Sequence, residues 1–223
     1  MTHIVVLSGG LDSTSALAHT LTSKPPAEVA AVSFDYGQRH RRELDAAAAV
    51  AAYHGISHRV LDMTGLLSGS ALLGASEVPE GHYAEDNMAA TVVQGRNLLF
   101  AAAAIATARP GDSLVVGVHA GDHPIYADCR PGFWFHLNEV AAAYGVEVLA
   151  PFVELTKAQV IATGSGAGAP LSLTWSCYQG GELHCGRCGT CVERAEAFDL
   201  AGVVDPTTYQ DSEFWRTAVA ADR

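Results

Sequence analysis

Positive charge is scarce in this chain: thirteen Lys and Arg stand against twenty-four Asp and Glu in 223 residues, a formal charge of −11. That balance repels a polyanion unless the basic residues gather on one face. No basic cluster exceeds Arg39-His40-Arg41-Arg42, so a large nucleic acid is not an expected partner, whereas a small anion such as a nucleotide needs only a local site. Long apolar runs are missing too. The richest, 97–108, is about half what a bilayer requires, which argues against a membrane span and predicts a core helix. Met1-Thr2-His3 leads into an apolar stretch of only four residues, 4–7. That is too short for a secretory signal, and a cytoplasmic protein is expected. No repeat or low-complexity tract interrupts the chain. With 49% hydrophobic and 17% charged residues it can bury one core, and a single domain, 1–223, is expected.

What is present is an alternation of short β-rich runs with longer Ala-rich segments. Strands are expected at 3–7, 29–34, 58–61, 113–118 and 147–150, mostly apolar, as suits a parallel sheet covered on both faces. Helices are expected at 13–22, 42–54, 96–108, 133–144 and 156–163. The implied fold is α/β, a doubly wound parallel sheet. Two stretches fit the alternation poorly, 62–93 and everything after 164, and loops at the carboxyl ends of parallel strands commonly carry function.

Directly after the first strand comes Ser8-Gly9-Gly10-Leu11-Asp12-Ser13, followed by a helical segment. Two glycines let the backbone turn sharply, and Ser8 and Ser13 add hydroxyls beside a helix N-terminus whose unpaired N–H groups attract anions. A plain helix-capping turn would need the same residues, but this placement is the one a phosphate cradle requires. The loop matches neither the P-loop NTPase nor the dinucleotide-binding pattern. It resembles the SGGxDS signature of PP-loop ATP pyrophosphatases, which implies ATP cleaved between the α- and β-phosphates, a substrate oxygen adenylated, and AMP displaced by a nucleophile. Asp12, an acid among phosphate-binding groups, is expected to help hold Mg2+ or orient the loop.

Four of the five cysteines, Cys177, Cys185, Cys188 and Cys191, are spaced C-x7-C-x2-C-x2-C. Glycines 186 and 189 permit the tight turns that gather thiolates around one ion, and four sulfurs leave no open position, so a structural zinc is expected. An iron–sulfur cluster is the alternative. Disulfides are disfavoured by the odd count and the absent signal. Cys129 stands apart as a packing residue.

Around these motifs further blocks fall in order: Phe34-Asp35-Tyr36-Gly37-Gln38-Arg39-His40 with Glu43; Gly95-Arg96-Asn97; Gly117-Val118-His119 with Asp122, Tyr126, Asp128, Cys129 and Arg130; Leu155-Thr156-Lys157-Ala158; and Thr174-Trp175-Ser176-Cys177-Tyr178. Together they resemble the 7-cyano-7-deazaguanine synthase family over nearly the whole chain. The resemblance implies an adenine-nucleotide alpha-hydrolase-like fold with a zinc-bound helical subregion at 174–223, a homodimer, and a role in queuosine and 7-deazapurine biosynthesis. It also implies a ligase reaction in which 7-carboxy-7-deazaguanine is adenylated and amidated by free ammonia, and the amide is dehydrated to the nitrile by a second ATP-dependent activation.

The catalytic groups would be Ser8, Asp12, Ser13 and Lys157. ATP contacts would run along Leu7, Ser8, Gly9, Gly10, Leu11, Asp12, Ser13, Thr14, Ser15, Ala16 and Leu17, with Phe34 and Arg96. Substrate would meet Asp122, Tyr126, Asp128 and Arg130. Arg96, Arg130 and Lys157 suit carboxylate or phosphate, Asp122 and Asp128 could accept from a guanine-like edge, and Tyr126 or Phe34 could stack on a base. Taken alone, each admits a plainer role: a helix-capping acid, a surface ion pair or a core aromatic. His119 and His123 are not expected to share a metal, because no regular helix aligns them. Gln94, where the family usually has proline, and the glycine-rich 164–168 depart from the pattern, and no ligand contact is expected from 62–93. A transfer-RNA-modifying PP-loop enzyme is disfavoured by the charge, and an idle nucleotide-binding module by the intact loop.

Overall fold

The computed structural model describes residues 1–74, 76–84 and 86–221. Five parallel strands, β1 (His3–Val6), β2 (Val29–Asp35), β3 (Ser57–Asp62), β4 (Ser113–Val115) and β5 (Glu147–Leu149), form one sheet in the order β3-β2-β1-β4-β5. β1 is central, pairing His3 with Val29 on one side and with Ser113 on the other. Alternation along it serves two cores: Val5 and Leu7 face one cluster, Ile4 the other. The period-2 geometry of a strand makes this division automatic.

The first face is covered by α1 (Leu11–Leu21), α2 (Arg42–His54), α5 (Lys157–Gly166) and α6 (Gly189–Ala201), through Leu17, Val50, Ile161 and Phe198 among others. The second is covered by α3 (Arg96–Thr107) and α4 (Pro131–Ala142), through Ala104, Ile105, Trp134 and Leu137. A short α7 (Phe214–Ala221) packs on α6. Strand order reverses between β1 and β4, so the crevice above their carboxyl ends is the topological switch point where such sheets bind ligands.

Several boundaries differ from expectation for identifiable reasons. Helix α1 begins at Leu11, because extended Gly10 is its N-cap. Pro131, whose fixed φ suits a first helical position, starts α4 two residues ahead of 133. β4 ends at Val115 because the chain leaves the sheet toward Gly117, where a Cβ would lie 2.8 Å from the Asp12 carbonyl carbon. Helix α5 runs on to Gly166, past its expected end at 163, and Gly164 lies against Ser15 of α1.

The apolar run Met88–Thr107 has the length and hydropathy of a membrane span. Its backbone is nevertheless a 3-10 turn, Asp86–Thr91, separated from α3 by the left-handed Gly95 (φ 70°). Among the described residues, the longest α-helices have 13 residues, short of a bilayer crossing.

Candidate active site

The phosphate loop folds on its own side chains. Ser13 Oγ accepts from Ser8 N at 3.1 Å and donates to Gly10 O at 3.2 Å, and Ser8 Oγ accepts from Gly10 N at 3.2 Å. Gly10 caps α1 with no side-chain bond, leaving a helix N-terminus open to an anion. Gly9 (φ 86°) lies so close to α2 that a Cβ would sit 2.0 Å from Glu43 O. The loop is thus pressed against α2 and held from the far end of the sequence by Trp175 N donating to Gly9 O at 2.9 Å.

Behind the loop lies a charged centre assembled from four parts of the chain. A capping box at Thr156 and Gln159 starts α5 and fixes Lys157 in its first position. Lys157 Nζ donates to Asp12 Oδ2 at 2.7 Å and reaches Glu193 Oε2, from the start of α6, at 3.4 Å. Burial pushes the Asp12 carboxyl up, but Lys157 and then His119 outweigh it and hold it below its usual range. Burial likewise pushes Lys157 down, while Asp12 and Glu193 more than reverse this. Both groups are therefore charged at neutral pH. Burial raises Glu193 despite Lys157 and His119.

Fully buried His119 has Gly121 N 3.1 Å from Nδ1 and Lys157 Nζ 3.2 Å from Nε2. Nε2 also faces Asp122 at 3.5 Å, Asp12 at 3.8 Å and Glu193 at 3.9 Å. The His119, Asp122 and Glu193 ligand atoms lie within 4.8 Å of one another, with the Lys157 ammonium already against His119 and Glu193.

The opposite wall is aromatic. Tyr36, Tyr126 and Tyr178 line the same cavity of about 230 Å³ as Ser8, Asp12, Asp122, Lys157 and Arg96. Burial pushes all three tyrosine hydroxyls up, so they stay protonated donors. Thr91 Oγ1 donates to Met88 O, so the 2.7 Å bond between Thr91 and Tyr126 has the tyrosine as donor. Arg96 meets only the Tyr36 hydroxyl, at 3.4 Å, and no carboxylate pairs with it among the described residues. Its guanidinium suits a ligand carboxylate or phosphate. Gln38 locks the preceding turn, donating to Phe34 O and Glu43 Oε1 and accepting from Tyr36 N.

Beyond Trp175 the four cysteine sulfurs lie within 4.8 Å of one another, with Cys185 and Cys191 3.9 Å apart. A tetrahedral zinc–thiolate site has sulfur–sulfur edges of about 3.8 Å. Backbone N–H groups of residues 185, 187 and 188 point at the Cys177 and Cys185 sulfurs at 3.3 to 3.4 Å, the environment of a thiolate. Neighbouring sulfurs, Cys177 first, push the Cys191 thiol up. A divalent cation removes that conflict, so the donor set fits a metal. Leu72, Val78 and Val93 pack against it.

Not every expected site residue reaches the cavity. Ser8, Gly10, Asp12, Ser13, Phe34, Arg96, Asp122, Tyr126 and Lys157 line it, as do Leu7 and Leu11. Gly9 does not; its role is the contact with α2. Thr14, Ser15, Ala16 and Leu17 are buried in α1 and do not line the cavity. Asp128 is a helix cap, its Oδ2 accepting from Asn97 N at 3.1 Å at the head of α3. Exposed Arg130 donates to His123 O at 3.0 Å; neither residue lines the cavity. Phe34 stacks on Phe100 with centroids 4.2 Å apart, so one ring face is already covered. Segment 62–93 contributes Thr91 as a support for Tyr126. Cys129 is buried, and burial pushes its thiol up. His119 and Glu193 carried no expected role, and no motif marks Glu193.

Comparison with known proteins covers nearly the whole chain. Relatives named 7-cyano-7-deazaguanine synthase include one from Rhizobium etli, 54% identical over 99% of this chain and 97% of its own length. Others are from Paracoccus denitrificans, 52% identical over 99% and 98%, and Brucella anthropi, 50% identical over 98% of each. The model of the family described as "Queuosine biosynthesis protein QueC" matches residues 2–202, and this chain, with its phosphate loop and charged centre in one crevice and a four-cysteine cluster beyond it, belongs to that family.

Proposed function

We propose that this protein makes 7-cyano-7-deazaguanine from 7-carboxy-7-deazaguanine and ammonia at the expense of ATP. The observation that carries the reading is the meeting of the phosphate loop with Lys157: Lys157 Nζ lies 2.7 Å from Asp12 in the first turn of α1, inside the cavity that Arg96 and Asp122 also line. The chemistry needs such a convergence. A substrate carboxylate oxygen attacks the α-phosphorus and the bond to the β-phosphate breaks. Pyrophosphate leaves into the loop of Ser8, Gly10 and Ser13. Ammonia nitrogen then attacks the acyl carbon, the bond to AMP breaks, and a proton goes to water. The amide oxygen attacks the α-phosphorus of a second ATP, a second pyrophosphate leaves, and departure of that AMP with loss of the two N–H protons to water leaves the nitrile.

In this reading Lys157 and Arg96 balance negative charge at the reacting phosphate and carboxylate. Asp122 and Tyr126 meet the polar edge and face of the deazaguanine. Asp12 Oδ1, buried without a hydrogen-bond partner, is a hard oxygen suited to magnesium. Magnesium would supply charge neutralisation on the phosphates. The metal held by Cys177, Cys185, Cys188 and Cys191 is zinc in a structural role. Residues 174–223 are a zinc-bound part of one domain, in a cytoplasmic homodimer acting on small molecules.

The test is incubation with 7-carboxy-7-deazaguanine, ammonia, ATP and magnesium, followed by mass spectrometry. Nitrile with AMP and pyrophosphate is the expected result, and accumulated amide would mean a reaction that stops halfway. Absence of substrate-dependent AMP would overturn the assignment.

A further inference from the structure

A second, smaller cavity of about 30 Å³ lies behind the charged centre. Tyr83, Met88, Ile125 and Gly189 line this cavity alone. Asp122, Tyr126, Tyr178, Thr190 and Glu193 line both it and the larger cavity. The volume exceeds the ~10–15 Å³ that one water-sized molecule needs, yet is far below that of any ring. Bare α-carbons keep it open: a Cβ on Gly189 would lie 2.8 Å from Met88 Sδ, and one on Gly121 3.0 Å from Glu193 Oε1.

The two cavities differ in their cations. Asp12, Glu43, Asp122 and Glu193 line the large one together with Lys157 and Arg96, whereas among the described residues the small one is lined by Asp122, Glu193 and three tyrosines and by no lysine or arginine. In the first a small cation competes with Lys157 and Arg96 for the carboxylates, and in the second it meets carboxylates and ring faces alone. The large cavity, about 230 Å³, is also below the ~300–1,000 Å³ usual for a small-molecule pocket. A nucleotide and a purine bound together would fill it and close that approach to a further reactant.

We propose that ammonium enters by the small cavity and is held between Asp122 and Glu193 behind the reacting carbonyl, apart from the entrance used by ATP and the purine. This rests on the ammonia-consuming reaction proposed above. From there the nitrogen sheds a proton to water and attacks the acyl carbon as AMP departs, so the cavity adds delivery and leaves the balance of the step unchanged.

Two variants test it at fixed pH. Ile125→Trp fills the part of the small cavity that the large one does not share. It is expected to raise the KM for ammonium in amide formation by about ten-fold or more, while the carboxylate KM and carboxylate-dependent ATP–pyrophosphate exchange, which needs no ammonia, stay near wild type. Met88→Ala widens the passage and is expected to let methylamine react, giving an N-methylamide that the wild type makes poorly. An unchanged ammonium KM in Ile125→Trp overturns the inference, as does an equal rise in the carboxylate KM. So does a Met88→Ala enzyme that keeps exchange but gains no methylamine product. Absence of exchange in the wild type would remove the proposed reaction itself, a failure distinct from these.

Discussion

Gly164 is where α5 touches α1, and replacing it with alanine sets two effects of opposite sign against each other. Alanine favours a helix interior over glycine by about 1 kcal/mol. Here, however, the new Cβ would lie 2.2 Å from Ser15 Oγ, 2.7 Å from Ser15 Cβ and 3.2 Å from Ser15 Cα. Rotating the hydroxyl removes only the first conflict. Carbon atoms sit comfortably at ~3.5–4.0 Å, so the helices must part by about 1 Å in a packed core that includes Val160 and Ile161. Overpacking of this kind costs ~1–3 kcal/mol or more, and with no room to relax the upper end applies. The net loss is about 2 kcal/mol, or a Tm lower by about 4–8 °C at this chain length.

Gly166 is the control two residues on. A Cβ there meets nothing within 4 Å, so Gly166→Ala keeps the propensity gain and should raise Tm by about 1–4 °C. Differential scanning fluorimetry on the two variants reads the difference, and Ser15→Gly combined with Gly164→Ala should recover much of the loss through a favourable coupling. A Gly164→Ala protein as stable as wild type, or a double variant with no coupling, would refute the reasoning.

Other outcomes follow from the same geometry. Cys188→Ser should lose its metal, measured by elemental analysis, together with its soluble fold, whereas Asp12→Ala should stay folded and metal-loaded but make no AMP; full activity in the latter would count against the mechanism. Arg194, 1% exposed, donates to Thr174, Ser176, Thr207 and Leu171 O. Arg194→Met strands those partners and the nearby Asp205, and should cost about 3–5 kcal/mol in urea denaturation. Burial holds the His3 imidazole below its usual range. Above about pH 6.5 it is neutral folded or unfolded; as pH falls below that, the unfolded chain binds a proton the folded one resists, and stability is lost. His3→Gln should flatten the fall in urea midpoint between pH 7.5 and 5.5, and an unchanged slope would exclude His3 as its source.

Elements whose pattern is local were readable from the sequence. Runs such as 29–34 and 42–54 carry their own periodicity, and the phosphate loop and cysteines announce themselves by spacing. Contacts between distant segments were not readable. Glu193 is an ordinary acid on an Ala-containing helix until α6 packs beside α5 and brings it to Lys157. Asp128 lies in a block shared with the family, yet its hydrogen bond goes to the backbone of Asn97, the plain capping role that the residue type alone allowed. Thr14 to Leu17 continue the phosphate loop in sequence, but in α1 they are buried and do not line the cavity. Gly117 and Gly164 each mark a close approach to α1, visible only once the partner helix is in place.

The bond from Trp175 N to Gly9 O joins two segments far apart in sequence, the earlier of which is made well before the later. During synthesis the phosphate loop leaves the ribosome early, but Lys157, Trp175 and Glu193 follow only after most of the sheet has been translated. A nascent chain therefore holds the phosphate loop without its far wall, and the cavity is completed only when Lys157, Trp175 and Glu193 close onto the loop.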